Sequence, residues 1–369
     1  MTLGAGPPPS IVVDARMIAS SGIGTCLRNA LPRIIQARPE WRFTLLGDRE
    51  RLTTLGLRDR CEIKEARAPL YSLQEQLAFA RLDLRRADLF WAPHYNIPLV
   101  PTRRLVVTVH DVMHLTQPEY TNSWLRRGYA TTMYAAVRRR ASAVVCDSDF
   151  TRREFERVVG TGPATHVVHN GVHPSWFVPR RVDDRPSSTR PYIVFVGLAK
   201  PHKNLVGLLR AFAMIHDRVP HDLVIVGSKR DVLRTSDRRI EEASATLNGR
   251  VRFAEHLELS ALQQCVAGAD VLVQPSFCEG FGLPPLEAMA AGTPCLVSKI
   301  DPLVEVGGDA VGYCDPRDPG DIARRLLELL ESREARKDLS ARGRERARAF
   351  SWDRSATETL AIFEQVLSS

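Results

Sequence analysis

Short apolar runs rich in β-branched residues alternate along this chain with stretches whose apolar residues recur every three or four positions. The first half holds six such runs: IVVDA (11–15), WRFTLLG (41–47), ADLFWAP (87–93), RLVVTVH (104–110), SAVVCDS (142–148) and THVVHNG (165–171). Helical periodicity fills several of the gaps, at 23–37, 72–86 and 123–140. Strands this short and this apolar, separated by helices, predict a parallel sheet covered on both faces.

The pattern then breaks at PRRVDDRPSSTR (179–190), which has Pro, Ser and mixed charge but no period, and so reads as a linker. It restarts with strand-like PYIVFVG (191–197), DLVIVG (222–227), VRFAEH (251–256), ADVLVQPS (269–276), TPCLVSK (293–299) and a weaker AVGYC (310–314). Helical stretches are expected at 203–216, 235–246, 259–267, 284–291 and 319–334, with an amphipathic helix at 352–367. At about 150 residues per domain, 369 residues leave room for two large cores. The expected fold is α/β: a first Rossmann-like domain (1–178), the linker, a second Rossmann-like domain (191–349), and a C-terminal helix (350–369) that returns to the first domain.

Charge changes the picture more than composition does. The chain carries +8 overall. Residues 1–180 hold 25 Lys+Arg against 16 Asp+Glu, a balance of +9, and the remainder hold 26 against 27, a balance of −1. One-sided charge is an argument about partners: an anionic membrane surface, an anionic acceptor or nucleic acid. The basic runs at 126–127 and 138–140 favour peripheral membrane attachment, and a solvated helix face explains them as well. Aromatics interleaved with basic residues over a continuous surface are not visible, which argues against nucleic acid. No stretch of 18 residues is apolar and uncharged, so no spanning helix is expected. The start reads as no signal peptide. Seven cysteines, mostly inside apolar runs and with no C-x-x-C pair, predict buried thiols in a reducing, cytoplasmic setting.

Three loops carry candidate chemistry. In Ser20-Ser21-Gly22-Ile23-Gly24-Thr25, two glycines between a strand and a helix permit either a close ligand approach or an ordinary turn. The dinucleotide fingerprint is incomplete, because residue 27 is Leu, which argues against an NAD-dependent dehydrogenase. In Gly197-Leu198-Ala199-Lys200-Pro201-His202-Lys203-Asn204, basic groups at a strand end make a diphosphate cradle, with Lys203 the stronger candidate and Lys200 the weaker. In PSFCEGFGLPPLEAMAAGTP (275–294) the chain leaves a strand, turns on Gly280 and Gly282, and enters a helix near Pro284. Glu279 in that turn suits sugar hydroxyls. Glu287, early in the helix, suits a ribose diol or simply the helix dipole. Asp147-Ser148-Asp149 resembles a D-x-D metal motif but reads as a strand-end turn and helix cap. No metal is expected.

Glu279 and Glu287, with seven residues between them, resemble the E-x7-E signature of the retaining GT-B glycosyltransferases of family GT4. The resemblance extends in order through VVDARMIASSGIG (12–24), VTVHDVMHL (107–115), VVHNGVHPSWF (167–177), VGLAKPHKN (196–204) and FSWDRSATETL (350–360), nearly the full chain. It implies two domains facing each other across a cleft, with the nucleotide-sugar donor held mainly by the second and the acceptor by the first. Carried over by position, Glu287 would hold the ribose hydroxyls, and Glu279 the sugar's 3- and 4-hydroxyls. The backbone of Gly280, Phe281, Gly282 and Leu283 would assist sugar and phosphates. Lys203 would neutralise the diphosphate beside Gly197 and Lys200, His110 would lie near the transferred sugar, and Gly22 and Gly24 would approach phosphates or acceptor. Leu198 departs from members that place Arg there, leaving Lys200 or His202 to compensate.

The activity implied is transfer of a hexose with retained configuration and no metal or cofactor beyond the donor. The loops look most like bacterial mannosyltransferases using GDP-mannose, with a glycan, lipid-linked or small-molecule acceptor at the inner face of the cell membrane. Two alternatives stay open: a UDP- or dTDP-sugar enzyme of natural-product biosynthesis, and a non-catalytic nucleotide- or glycan-binding partner subunit.

Overall fold

The computed structural model describes residues 7–57, 59–120, 124–179, 190–227, 238–245, 247, 249–254 and 257–369. Most of the expected linker, 235–237 and 246 of one expected helix, and 255–256 of one expected strand lie outside the described residues. Two compact units divide the chain: Met1–Gly171 together with Ser351–Ser369, and Val172–Phe350.

In the first unit seven strands form one sheet: β1 (Ser10–Asp14), β2 (Arg42–Gly47), β3 (Cys61–Glu65), β4 (Leu89–Ala92), β5 (Leu105–Val109), β6 (Ala143–Cys146) and β7 (Ala164–Val167). Their order is β3-β2-β1-β4-β5-β6-β7, every pairing parallel. Strands β4, β5 and β6 are buried along their whole length, which is why they read as apolar runs broken only by Thr108. The helix Trp352–Ser368 packs on Gly22–Ala37 and buries Trp352, Leu360, Ile362 and Phe363 in this unit. Gly171 is where a side chain cannot go: a Cβ there would lie 2.1 Å from the backbone nitrogen of Trp352.

The second unit repeats the plan. Strands β8 (Tyr192–Val196), β9 (Asp222–Val226), β10 (Val251–Ala254), β11 (Val271–Gln274), β12 (Cys295–Ser298) and β13 (Gly312–Cys314) lie in the order β10-β9-β8-β11-β12-β13, again all parallel. Apolar layers cover both faces, one around Phe195 and Phe212, the other around Leu286, Met289 and Phe350. In each sheet the chain order reverses beside its first strand, at β1/β4 and at β8/β11. Open α/β sheets bind ligands outside the carboxyl ends of the strands at that reversal.

Several elements differ from the sequence reading. Strand β3 lies at a sheet edge and is half exposed, so CEIKE carries no apolar run. The helix expected over 319–334 ends at Glu331, and Ser332 caps a new helix, Arg333–Arg348, by accepting from the Ala335 amide. That helix buries only Leu339, Gly343 and Ala347, a stripe too narrow to register as periodicity among so many arginines. A short helix, Asp301–Gly307, follows β12.

Candidate active site

The second unit brings two sequence-distant loops together at its switch point. After β8 the chain turns at Gly197, whose φ of 154° lies in the region that favours glycine, and its amide donates to the Val226 carbonyl at 3.0 Å. A short 3-10 turn, Pro201–Lys203, then leads to Asn204. Asn204 has left-handed backbone (φ 56°) and caps the helix Leu205–Ala213 by accepting from the Gly207 amide at 3.2 Å. Its side-chain nitrogen donates to the carbonyls of Pro275 (3.0 Å) and Pro316 (2.7 Å). One buried amide thus ties the loop after β8 to the loop after β11. The Phe277 amide adds a second tie, donating to the His202 carbonyl at 2.8 Å.

With the loops pinned, the Lys203 ammonium donates to both carboxylate oxygens of Glu279 at 2.7 Å. The Ser276 hydroxyl donates to Glu279 Oε1 at 2.7 Å, and Gln274 Nε2 reaches the same oxygen at 3.2 Å. Burial pushes the Glu279 carboxyl up, but Lys203, Ser276 and the charge of His202 outweigh it and hold the group below its ordinary value. A buried ionised carboxylate against an ammonium is stable only because further hydrogen bonds complete it.

The turn after Glu279 ends at Gly282, with φ 110°, where a Cβ would also meet a Leu303 methyl at 2.5 Å. Gly282 begins the helix Leu283–Ala290, which has no side-chain cap. Phe281 is buried, its ring 5.9 Å from that of Phe350, so it faces the site with backbone only. Gly280, Leu283 and Glu287 are half-buried on this turn and helix. Lys200 is exposed and takes no part in the Glu279 contacts.

The first unit has its own strand-end cluster. His110 follows β5; one ring nitrogen lies 2.9 Å from the Pro93 carbonyl beyond β4, the other 2.6 Å from Asp147 at the end of β6. A carbonyl only accepts, so Nε2 carries a proton, and the carboxylate favours a second proton on Nδ1. Burial pushes the His110 imidazole down, but Asp147, the Pro93 carbonyl and Asp111 outweigh it and raise the value. Asp147-Ser148-Asp149 does end a strand and begin a helix: Ser148 caps Asp149–Val159, and Asp149 pairs with Arg152 and Arg153. Gly22 opens the helix Gly22–Ala37 with open space at its Cβ position, whereas a Cβ on Gly24 would stand 2.5 Å from the Ile18 carbonyl oxygen. Gly24 therefore has a packing reason of its own.

Three residues at these sites were given no role by the sequence reading, Asn204, Ser276 and Gln274, and Asp147 was read as part of a turn, without its contact to His110. Asn204 carried a signal, since Asn directly before an apolar periodic stretch is a helix-cap pattern. Gln274 carried none, being one polar residue at the end of a buried strand.

Comparison with known proteins identifies the family. The family model "Glycosyl transferases group 1" matches residues 180–346, and "Glycosyltransferase Family 4" matches residues 50–176. The chain is 30% identical over 293 residues to O-antigen chain mannosyltransferase B of Escherichia coli, covering 75% of this chain and 74% of the relative. It is 27% identical over 226 residues to O-antigen chain mannosyltransferase RfbU of Salmonella typhimurium, covering 61% and 60%. Among solved structures, sucrose-phosphate synthase from Thermosynechococcus elongatus superposes with a TM-score of 0.78 at 20% identity, covering 98% of this chain and 99% of that one. Anabaena HepE in complex with UDP and glucose gives 0.75 at 18%, covering 97% and 100%. At such identities the structural likeness speaks for the fold alone.

Proposed function

The chain belongs to the GT4 family of glycosyltransferases with the GT-B fold, enzymes that move a sugar from a nucleoside-diphosphate donor to an acceptor, and we propose that the sugar is mannose and the donor GDP-mannose. The observation that carries the donor site is the meeting of Lys203 and Glu279 at the switch point of the second unit. Likeness to two O-antigen chain mannosyltransferases supports mannose.

In this reading Lys203 leaves Glu279 for the diphosphate and stabilises the charge that develops on the leaving oxygens. Glu279 receives the sugar hydroxyls and Glu287 the ribose. Gly197, Gly280, Gly282 and the backbone of Phe281 and Leu283 let the donor approach closely, while Lys200 supplies further positive charge. His110 acts as a fixed cation near the transferred sugar rather than as a base, since both ring nitrogens already face acceptors. Gly22 borders the acceptor. The sugar is transferred with retained configuration, and with lysine neutralising the phosphates no metal is needed, so turnover persists in EDTA.

The acceptor in this reading is a glycan or a lipid-linked glycan, reached at the cytoplasmic face of a membrane. Exposed Leu73, Leu77, Leu99, Trp124 and Leu125 support this, all in the basic first unit, with Arg126 and Arg127 directly following. Tyr71 and Tyr129, whose rings are 6.0 Å apart, join the segments that carry them. Among the described residues no helix is long and apolar enough to cross a membrane. The cysteines are free, which suits a reducing compartment.

A thermal-shift series with GDP, UDP and dTDP tests the donor, followed by turnover with the matching sugars. At a hundred times its Kd, a nucleotide stabilises the fold by about 2.7 kcal/mol. GDP is expected to stand out. A response to UDP or dTDP alone replaces the donor assignment, and silence from all three removes the donor site.

A further inference from the structure

The two oxygens of Glu279 are not equivalent. Oε1 accepts from Lys203 (2.7 Å), Ser276 (2.7 Å) and Gln274 (3.2 Å), whereas Oε2 accepts from Lys203 alone among the described residues. Behind Ser276 the donors run in one direction. Gln274 Nε2 donates to the Ser276 hydroxyl at 2.9 Å, and that hydroxyl donates its single proton onward to Glu279. Both residues are fully buried, so solvent cannot replace either bond. The Gln274 amide places its nitrogen on this chain and leaves its own Oε1 without a partner.

Resting on the donor reading above, the geometry points to a division of labour in which Ser276, backed by Gln274, is a positioning residue that pins Glu279 by Oε1 and leaves Oε2 as the oxygen that receives the donor sugar's hydroxyl. In this structure Lys203 holds both oxygens. When its ammonium moves to the diphosphate, Oε2 loses the one partner it has among the described residues and Oε1 keeps two. The carboxylate then presents one open oxygen in a fixed direction. It does not swing, because Ser276 is rooted at the end of β11, two residues beyond Gln274. Lys203 and Glu279 thus also guard one another: neither stays an unpaired buried charge before the donor arrives.

The test separates sugar from nucleotide. Affinities of the full chain for GDP and GDP-mannose, and for UDP and UDP-glucose, are compared between the wild type, Ser276→Ala and Ser276→Thr. Ser276 touches no group assigned to the nucleotide, so Ser276→Ala is expected to keep nucleotide affinity within about twofold. The extra affinity contributed by the sugar falls about tenfold, and turnover about 10- to 100-fold, the range for losing a hydrogen bond to a charged group. The acid limb of the rate profile moves to higher pH, because a donor to the ionised carboxylate is gone. Ser276→Thr, which retains the hydroxyl, restores both.

Equal loss of nucleotide and nucleotide-sugar affinity in Ser276→Ala, or an unmoved acid limb with an unchanged sugar increment, overturns the inference and leaves the donor reading standing. If Ser276→Ala does not fold, Gln274→Met carries the same comparison, with a weaker loss expected, and an unmoved acid limb there is equally decisive. A wild-type chain that binds neither GDP nor UDP fails at the earlier step, and both readings fall together.

Discussion

Lys203 and Glu279, 76 residues apart in sequence, meet with the ammonium 2.7 Å from both carboxylate oxygens. Lys203 arrives from the loop after β8 and Glu279 from the loop after β11, the neighbouring strands at which the sheet order reverses. The pair is mostly buried, so each charge depends on the other.

Lys203→Ala leaves that carboxylate with Ser276 and Gln274 only. The fold is expected to lose about 1–3 kcal/mol, the cost of removing one partner of a buried charged hydrogen bond, measured by denaturant unfolding. Turnover is expected to fall about 100-fold or more, as for loss of a group that stabilises leaving-group charge. Unchanged turnover would remove Lys203 from the diphosphate.

The His110–Asp147 pair makes stability depend on pH with a definite sign. His110 is raised in the folded state, so the stabilisation is complete below the unfolded value of about 6.5 and is lost as pH climbs through the raised one. The slope is at most about 1.4 kcal/mol per pH unit. Melting of the wild type should fall with rising pH above about 6.5 more steeply than that of Asp147→Asn, in which the imidazole has lost its hydrogen-bonded carboxylate. Parallel melting curves would contradict a charged pair.

Asn204 combines a helix cap, two carbonyl anchors and a left-handed backbone. Asn204→Ala is expected to cost about 2–4 kcal/mol, from the lost cap, the orphaned carbonyls and strain at positive φ. Asn204→Gly relieves the strain alone and should be milder by about 1 kcal/mol. The ranking of the two in urea unfolding separates backbone from side chain.

Gly22 and Gly24 can be told apart by substitution. Gly24→Ala forces a methyl to within 2.5 Å of the Ile18 carbonyl oxygen and is expected to cost about 1–3 kcal/mol. Gly22→Ala meets no atom within 4 Å and should leave the melting temperature unchanged or slightly raised. If Gly22 borders a substrate, activity drops in Gly22→Ala without any loss of stability.

Trp124 and Leu125 stand in solvent, 82% and 61% exposed, directly before Arg126 and Arg127. Each large apolar side chain that enters a membrane interface contributes about 1.5–3 kcal/mol. Trp124→Ser should therefore weaken sedimentation with anionic vesicles about tenfold or more, and neutral vesicles should bind less than anionic ones. Equal binding to both lipids would remove the charge argument.

The sequence by itself determined the two parallel sheets, because strands such as Leu105–Val109 and Asp222–Val226 are buried end to end and are apolar at all but one position each. It also singled out Lys203, Glu279 and His110, which stand in the loops that follow strands β8, β11 and β5. It could not supply β3 or the helix Arg333–Arg348, since an edge strand and a helix resting on three small contacts need few apolar residues. Nor could it supply the partners. That His110 is clamped between Pro93 and Asp147, and that Glu279 is held by Ser276 and Gln274, follows from which strand lies beside which. Pairing between distant segments is set by the sheet order, and only the folded chain fixes that order.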